Sequence, residues 1–269
     1  MNVRGLLLTL FVVSLSVFAF AGSACNKATV LNGDGRILDF DFVAPTSANY
    51  YQFNVSANHS YSVEVRQDYD DLQSGTPDLT TAAFTDSACS VALGNANTLA
   101  ANNNVHHTEN NDPALPANSQ RFSFTPTASG TVYLAVTNSN ASTGRYVSIT
   151  VAETTIFYSR WSTFSGFSTQ WAYQNTSSQP VAVTLTVIDT LGSPLMNPNP
   201  IVVSFSVAAG SEVFQLTPST VAAPAQHGGP AFATTDGPPG AVLPDCYFIN
   251  GTATIVVPST ISPVRQSAH

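Results

Sequence analysis

The sequence predicts an all-β protein, in which two tandem β-sandwich domains follow an N-terminal signal peptide. Apolar and polar residues alternate along many short segments, which is the period of a strand with one face on a core and the other in water. Glycine, proline and asparagine separate these segments, as expected for turns. Beyond the first residues, no stretch has the periodicity of an amphipathic helix.

The alternation is clearest in residues 120–151, which predict three strands. Residues 129–130 and 142–144 separate these strands, and each contains a glycine, which adopts backbone angles that other residues resist. The apolar members of the three strands are Phe122, Phe124, Val132, Leu134, Val136, Val147, Ile149 and Val151.

Earlier strands complete the first domain, which we place at residues 22–153. In the first of them, Leu38, Phe40 and Phe42 are expected to face the core. A short turn at Asn58-His59 predicts a hairpin, and the polar residues 95–118 predict a long surface loop. These strands are predicted at residues 36–43, 51–55, 61–65 and 79–84.

The second domain is predicted at residues 154–258. Short alternating strands separated by turns indicate an immunoglobulin-like sandwich of seven or so strands. Residues 217–244 are rich in proline, glycine and alanine and are expected to be irregular. Asn250-Gly251 is a strong hairpin dipeptide, and residues 259–269 are expected to form a flexible tail.

Residues 1–21 have the features of a cleaved signal peptide. Arg4 precedes an apolar run, and Ala19-Phe20-Ala21 fits the small-x-small cleavage pattern. The run is short for a membrane span, which needs roughly 20 residues. An uncleaved anchor and a lipid on Cys25 are the alternatives; against the lipid, Gly22 stands where a lipoprotein signal has leucine. The protein is therefore expected outside the cell or at its surface.

Composition narrows the classes of partner. Charged residues make up only 9% of the chain, the formal net charge is −8, and Lys27 is the only lysine. Nucleic acid and anionic lipid both require basic patches, so neither is an expected partner. An acidic surface is compatible with calcium.

The three cysteines are expected to be structural. An oxidising compartment favours a disulfide between Cys25 and Cys89. Cys246 lies in a predicted strand, and we interpret it as a buried apolar thiol rather than a nucleophile. The sequence contains no CxxC spacing, so zinc and redox sites have no support.

Several motifs in residues 25–152 follow one another in an order that resembles the bacterial pre-peptidase C-terminal domain. They are NYYQF at 49–53, YSVEV at 61–65, PDL at 77–79, FSFTP at 122–126, SGTVYLAV at 129–136 and GRY at 144–146. The resemblance implies a jelly-roll-like β-sandwich, a bacterial source and an accessory role beside secreted hydrolases. Some members of that family bind calcium.

Two clusters of polar residues are candidate metal sites. Calcium takes six to eight oxygen ligands, and a group of acids between two predicted strands, with Asp34, Asp39 and Asp41 as further ligands, could provide them. Its members are Asp68, Asp70, Asp71 and Asp78. The second cluster, a candidate transition-metal site, consists of His106, His107, Glu109 and Asp112. The alternative for both clusters is a solvated polar loop.

An aromatic segment opens the second domain and supplies the candidate ligand-binding residues. Trp161, Phe164 and Phe167 lie among serines and glycines, and exposed aromatics of this kind bind sugars or fill a partner's pocket. The alternative is that they plug the interface between the two domains. Trp171 and Tyr173 share a strand parity and are expected in the core.

The sequence contains no nucleophile motif. No GxSxG elbow occurs, and no His–Asp pair is indicated by position. We therefore expect a non-catalytic binding or adhesion protein that recognises a glycan, a matrix component or a surface protein. One alternative is a subunit that pairs with itself through edge strands into a filament or surface layer. The second alternative is an accessory protein of a secreted hydrolase.

Overall fold

The computed structural model describes residues 22–67, 79–94, 105–106, 116–117, 119–190, 200–251, 253–256 and 259–261. Strands make up 58% of the structure, and the described residues contain no α-helix. Among these described residues are two short 3₁₀ turns, at Cys25–Lys27 and Phe164–Gly166. The predicted all-β fold is thereby confirmed.

The first sandwich contains two four-stranded sheets. Their orders are β1-β3-β9-β5 and β2-β10-β4-β8. Consecutive long strands alternate between the sheets, and β2 lies beside β10, as in a jelly roll. The strands are β1 (Thr29–Val30), β2 (Asp34–Val43), β3 (Ala48–Val55), β4 (Tyr61–Gln67), β5 (Leu79–Phe84), β6 (Val105–His106), β7 (Pro116–Ala117), β8 (Ser119–Phe124), β9 (Gly130–Asn138) and β10 (Arg145–Glu153), with β6 and β7 paired separately.

Alternate residues of these strands fill one core between the two sheets. Tyr51, Phe53 and Leu134 enter it from one sheet, and Val63 and Ile149 enter it from the other; all five are buried. The burial of large side chains from both sheets excludes water between them and stabilises the sandwich.

The connection at Asn58-His59 is not the predicted hairpin. It joins β3 to β4, and these strands belong to different sheets. Asn58 adopts a left-handed conformation with φ of 63°, and its N–H donates to the carbonyl of Pro126. A short loop between two strands is compatible with a hairpin or with a crossing between facing sheets, and loop length alone does not distinguish them.

A bulge in β2 changes which of its residues face the core. Val147 pairs with Asp41 and Ile149 with Leu38, so β2 has one residue more than β10 between these points. Such an extra residue reverses the alternation beyond it. Phe42 is 48% exposed, and its ring centroid lies 5.1 Å from that of Tyr146. The prediction that Phe42 faces the core is therefore wrong. The side chain of Phe40 lies outside the described residues.

The described residues of the second sandwich form nine strands, where seven or so were expected. Its sheets have the orders β14-β13-β16-β11-β19 and β15-β12-β17-β18. Trp171 and Tyr173 face the core as predicted, and pack with Leu185 of the opposite sheet. The strands are β11 (Ile156–Ser162), β12 (Ser168–Asn175), β13 (Val181–Val187), β14 (Ile201–Val207), β15 (Glu212–Leu216), β16 (Gly228–Thr235), β17 (Val242–Asn250), β18 (Ala253–Val256) and β19 (Ser259–Ile261).

Two predicted irregular segments contain strands. Residues 217–244 include all of β16, where glycine permits close packing: a Cβ on Gly229 would lie 2.1 Å from the carbonyl oxygen of Ile188. The predicted tail begins with β19, which pairs with β11 by placing Ile261 opposite Ile156. Residues 262–269 lie outside the described part. The hairpin at Asn250-Gly251 is confirmed, because β17 and β18 pair across it.

A buried hydrogen-bonded joint connects the two sandwiches. Only Thr154 and Thr155 separate β10 from β11, and both are buried together with Ser60. The Ser60 N–H donates to Thr155 Oγ1 at 2.9 Å, and Ser60 Oγ accepts from Thr154 Oγ1 at 2.9 Å and from the Thr235 N–H at 3.2 Å. Both sandwiches contribute to this network, so it opposes bending between them.

Substituting Ser60 by alanine is expected to destabilise this joint. The buried Thr235 N–H would lose its acceptor, at a cost of about 1–3 kcal/mol. Ser62→Ala is the matched control, because Ser62 Oγ is buried without a hydrogen-bond partner in the described part of the chain. Urea denaturation should show a lower midpoint for Ser60→Ala alone. Equal midpoints for the two variants would contradict the role of Ser60.

Candidate functional site

The residues predicted to bind metals are not brought together in the described part of the chain. Asp68, Asp70, Asp71 and Asp78 lie outside it, as do His107, Glu109, Asp112 and the side chains of Asp39 and His106. Asp34 Oδ2 lies 3.1 Å from Arg36 Nε, and Asp41 accepts hydrogen bonds from Tyr51 and Asn49. Within the described residues, no group of three His, Cys, Asp or Glu side chains is placed to hold a metal ion.

Cys25 and Cys89 form a disulfide, with their Cα atoms 5.9 Å apart. Asp86 fixes the turn that carries Cys89, since its Oδ1 accepts the N–H groups of Ser90 at 3.0 Å and Val91 at 2.7 Å. The hydrogen bond from Val91 is the main reason that the pKa of Asp86 is lowered. The disulfide therefore links the start of the first sandwich to a turn that is itself held by a carboxylate.

Cys246 is a buried thiol on β17, as the sequence indicated. Burial, with a smaller contribution from the charge of Asp245, raises its pKa to about 12. The thiol is consequently protonated at neutral pH, and a protonated thiol is a weak nucleophile.

The structure corrects the interpretation of Trp161 as a ligand-binding residue. Its side chain is 0% exposed, and Nε1–H donates to the carbonyl of Ile188 at 2.8 Å. The cause is a bulge in β11: Tyr158 pairs with Ala231 and Trp161 with Gly229, so β11 has one extra residue there. The bulge turns the indole into the core of the second sandwich.

Phe164 and Phe167 are half-buried in the connection between β11 and β12. Ser165 and Gly166 both have positive φ, and Asn250 Nδ2 donates to the Ser165 carbonyl at 3.0 Å. We call residues 163–167, 226–227 and 250–251 the tip of the second sandwich. The residues Phe164 and Phe167 are partly accessible at the tip. Trp161, the other predicted ligand-binding residue, is not part of the tip.

His227 of the tip forms a buried pair with Asp189, which no pattern in the sequence indicated. His227 Nδ1 lies 2.6 Å from Asp189 Oδ2, and the side chains are 9% and 1% exposed. The two residues are separated by 38 positions, and no short motif includes both. Thr163 Oγ1 accepts the N–H of His227 at 3.0 Å, which fixes the histidine backbone against the tip.

The pair lacks the remaining parts of a hydrolytic site in the described part of the chain. Nucleophilic catalysis requires a hydroxyl or thiol within hydrogen-bond reach of the histidine. The ring of His227 makes its one hydrogen bond there to Asp189. Asp189 Oδ1 is buried and has no hydrogen-bond partner among the described residues. Together with the bond from the His227 N–H to Thr163 Oγ1, the pair connects Asp189 to the tip.

An open cleft of about 320 Å³ lies between the two sandwiches. The outer faces of β13 and β16 form its floor, and the end of β8 forms one wall. Ser123 Oγ donates to the carbonyl of Asp236 at 2.6 Å, and Asp236 Oδ1 accepts the Ala182 N–H at 2.7 Å. Five of the lining residues carry hydroxyls; the full set is Ser123, Phe124, Thr125, Ala182, Thr184, Thr234, Thr235 and Asp236.

The outer face of this sheet carries two adjoining rows of side chains, and only the first row lies on the floor of the cleft. Thr184 pairs with Thr234 in register and also contacts Ser204, with 3.0 Å between their hydroxyl oxygens. The second row lies on the same face, two residues further along each strand. In it, Phe232 is opposite Thr186 on one side and opposite Phe157 on the other. A row of hydroxyls therefore lies beside a row that contains two aromatic rings. Sequence reasoning missed this surface, because isolated threonines carry no local signal.

Comparison with models of known protein families and with curated proteins gives no match to this chain. In the part that the structure describes, we find no helix that could span a membrane.

Proposed function

We propose that this protein is an exported, non-catalytic binding protein that acts outside the cell or at its surface. Its ligand is a glycan, a matrix component or a surface protein, and it binds in the cleft between the two sandwiches. The hydroxyl row on the cleft floor carries the proposal. Export follows from the signal-peptide pattern of residues 1–21.

The chemistry of the cleft favours a neutral glycan among these ligands. Each hydroxyl both donates and accepts hydrogen bonds, which matches the hydroxyls of a sugar. Phe124 belongs to the lining and Phe232 lies on the face beside the hydroxyl row, where an aromatic ring would cover the apolar face of a sugar. The ring of Phe157 packs against His59 instead, with centroids 5.2 Å apart. Asp236 is the one charged residue of the lining, so charge contributes little to ligand choice.

The rigidity of the floor supports recognition. Thr184 and Thr234 project from two paired central strands of a five-stranded sheet, and sites on strands are held more closely than sites on loops. The hydrogen bonds of Ser60 fix the first sandwich against the second. Little conformational entropy is therefore lost in ordering the cleft when a ligand binds.

Two features support a non-catalytic role. Cys246 is buried in the core, and within the described residues no hydroxyl or thiol side chain makes a hydrogen bond to the ring of His227. The resemblance of residues 25–152 to the pre-peptidase C-terminal domain supports the same role, because those domains accompany a catalytic domain rather than replace it.

The test is a glycan array with the mature protein, followed by calorimetry with the best neutral oligosaccharide. Thr184→Val with Thr234→Val removes two hydroxyls from the floor while preserving the side-chain shape. We expect the dissociation constant to rise about tenfold or more, since each lost hydrogen bond contributes about 0.5–1.5 kcal/mol. Thr186→Val is the matched control on the same strand and face, outside the lining.

Three results would contradict the proposal. The first is an array without a glycan ligand, and the second is an equal loss of affinity in the control variant. The third is the appearance of new reducing ends when the bound oligosaccharide is incubated with the protein, because release of product requires a catalytic site.

A further inference from the structure

β14 is an edge strand, and its own sequence contains no protective charge, proline or glycine. Proteins normally shield edges with short strands, charged residues, bulges or a covering segment. β14 has seven residues, IVVSFSV, without charge, proline or glycine, and it ends its sheet. In the part of the chain that the structure describes, no residue pairs with its outer side.

Other edges of the molecule are shielded. In the second sandwich, β18 and β19 have four and three residues, and β15 has five including Glu212. In the first sandwich, β2 has bulges and β1 has two residues. β5 is covered by the segment that follows it, where the Leu93 N–H donates to the Ala83 carbonyl, and β8 carries Arg121. β14 is therefore the exception among the described edges.

The hydrogen bonds of β13 show which backbone groups of β14 point outward. The Ala182 N–H donates to Asp236 Oδ1, and its carbonyl accepts the Asp236 N–H. The backbone N–H and carbonyl groups of Ala182 therefore point toward β16. Because these groups alternate in direction along a strand, those of the odd-numbered residues of β13 point toward β14. In the observed register these neighbours oppose Ile201, Val203, Phe205 and Val207. The N–H and carbonyl groups of Val202, Ser204 and Ser206 consequently point away from the sheet.

We propose that β14 pairs antiparallel with β14 of a second copy, with a two-fold axis at Ser204. In this register Ser204 opposes itself and Val202 opposes Ser206, so each outward N–H meets an outward carbonyl of the partner. The same register places Val203 beside Phe205 of the other copy. Since both residues pack against the core, the apolar layer continues from one copy into the next.

A second copy fits this edge because the strand is complementary to itself. In the proposed register, core-facing residues of one copy lie opposite core-facing residues of the other. The strand has no charged residue that would repel the same strand in a second copy. Val202 is 56% exposed and would gain contacts with Ser206 of the partner. One open edge with isologous pairing gives a closed dimer, whereas a filament requires two complementary surfaces.

Pairing would also join the two clefts on one surface. Ser204 contacts Thr184 on the cleft floor, and the two-fold axis relates the hydroxyl rows of the two copies across β14. Formation of the dimer itself depends only on the edge of β14. It can therefore be tested without a ligand.

The experiment measures the mass of the mature protein in solution by sedimentation equilibrium over a range of concentrations. We expect a dimer. Val202→Lys with Ser206→Lys places lysines opposite each other across the axis, and should raise the dimer dissociation constant at least tenfold. Val202→Lys with Ser206→Glu places opposite charges together in the same register, and should restore the dimer.

The control is Phe214→Lys with Leu243→Lys, which adds the same charge to exposed positions on the other sheet and should leave the dimer intact. Circular dichroism checks that each variant is folded. A monomeric wild type, a polymer, or a Lys/Glu variant as dissociated as the Lys/Lys variant would overturn the proposal.

Discussion

Replacing Trp161 by alanine is expected to lower the free energy of unfolding by about 3–5 kcal/mol. The indole is completely buried between the sheets of the second sandwich, so truncation leaves a cavity that the surrounding strands fill only in part. The carbonyl of Ile188 also loses the donor that it has from Nε1. Both effects act on the folded state and add to one another.

Urea denaturation of the purified variant measures this loss. Trp161→Phe keeps most of the volume and removes the hydrogen bond, so its loss should be smaller. Phe167→Ala is the control for the tip, since Phe167 is half-buried and truncation leaves a smaller cavity. If Trp161→Ala unfolded at the wild-type urea concentration and instead lost ligand affinity, the indole would be a ligand contact after all.

The burial of Trp161 and the exposure of Phe42 have the same physical cause. Period-two reasoning assigns faces correctly as long as a strand matches its partner residue for residue. The bulge in β2 between Leu38 and Asp41 and the bulge in β11 between Tyr158 and Trp161 each add one residue, and the side chains beyond them point to the opposite face. Neither of these two bulges contains a glycine that would have signalled it; the second bulge in β2 does, at Gly35, whose φ is 81°.

The sequence predicts where strands lie along the chain better than it predicts which strands pair with one another. Each strand in residues 120–151 follows from its own alternation, which is local information. The assignment of β3 and β4 to different sheets depends on burial across the whole first sandwich, to which the turn at Asn58-His59 contributes nothing. The jelly-roll arrangement was expected from the resemblance and not from the periodicity.

The candidate site was less predictable than the fold. Thr184 and Thr234 come from strands far apart in the chain, and Ser123 comes from the other sandwich. Threonine on the outer face of a strand is common, so its presence does not distinguish a binding surface from an ordinary one. A surface of this kind becomes visible only when the sheet register is known.

His227→Ala is expected to destabilise the second sandwich by about 3–5 kcal/mol at neutral pH, because it leaves a buried carboxylate without a partner. Asp189 Oδ2 bonds to the imidazole, and Oδ1 has no partner among the described residues. Loss of the ring would therefore leave both oxygens unbonded at a side chain that is 1% exposed.

The double variant Asp189→Ala with His227→Ala separates this electrostatic cost from the loss of packing. Removing both partners leaves no unpaired charge, so the double variant should unfold at a higher urea concentration than His227→Ala alone, although it lacks more atoms. That inversion is the signature of a buried pair. If the double variant were instead less stable than the single one, the two side chains would contribute through packing and the carboxylate would be solvated.

Glycan affinity should be unchanged in any variant that remains folded, because the pair lies outside the lining of the cleft.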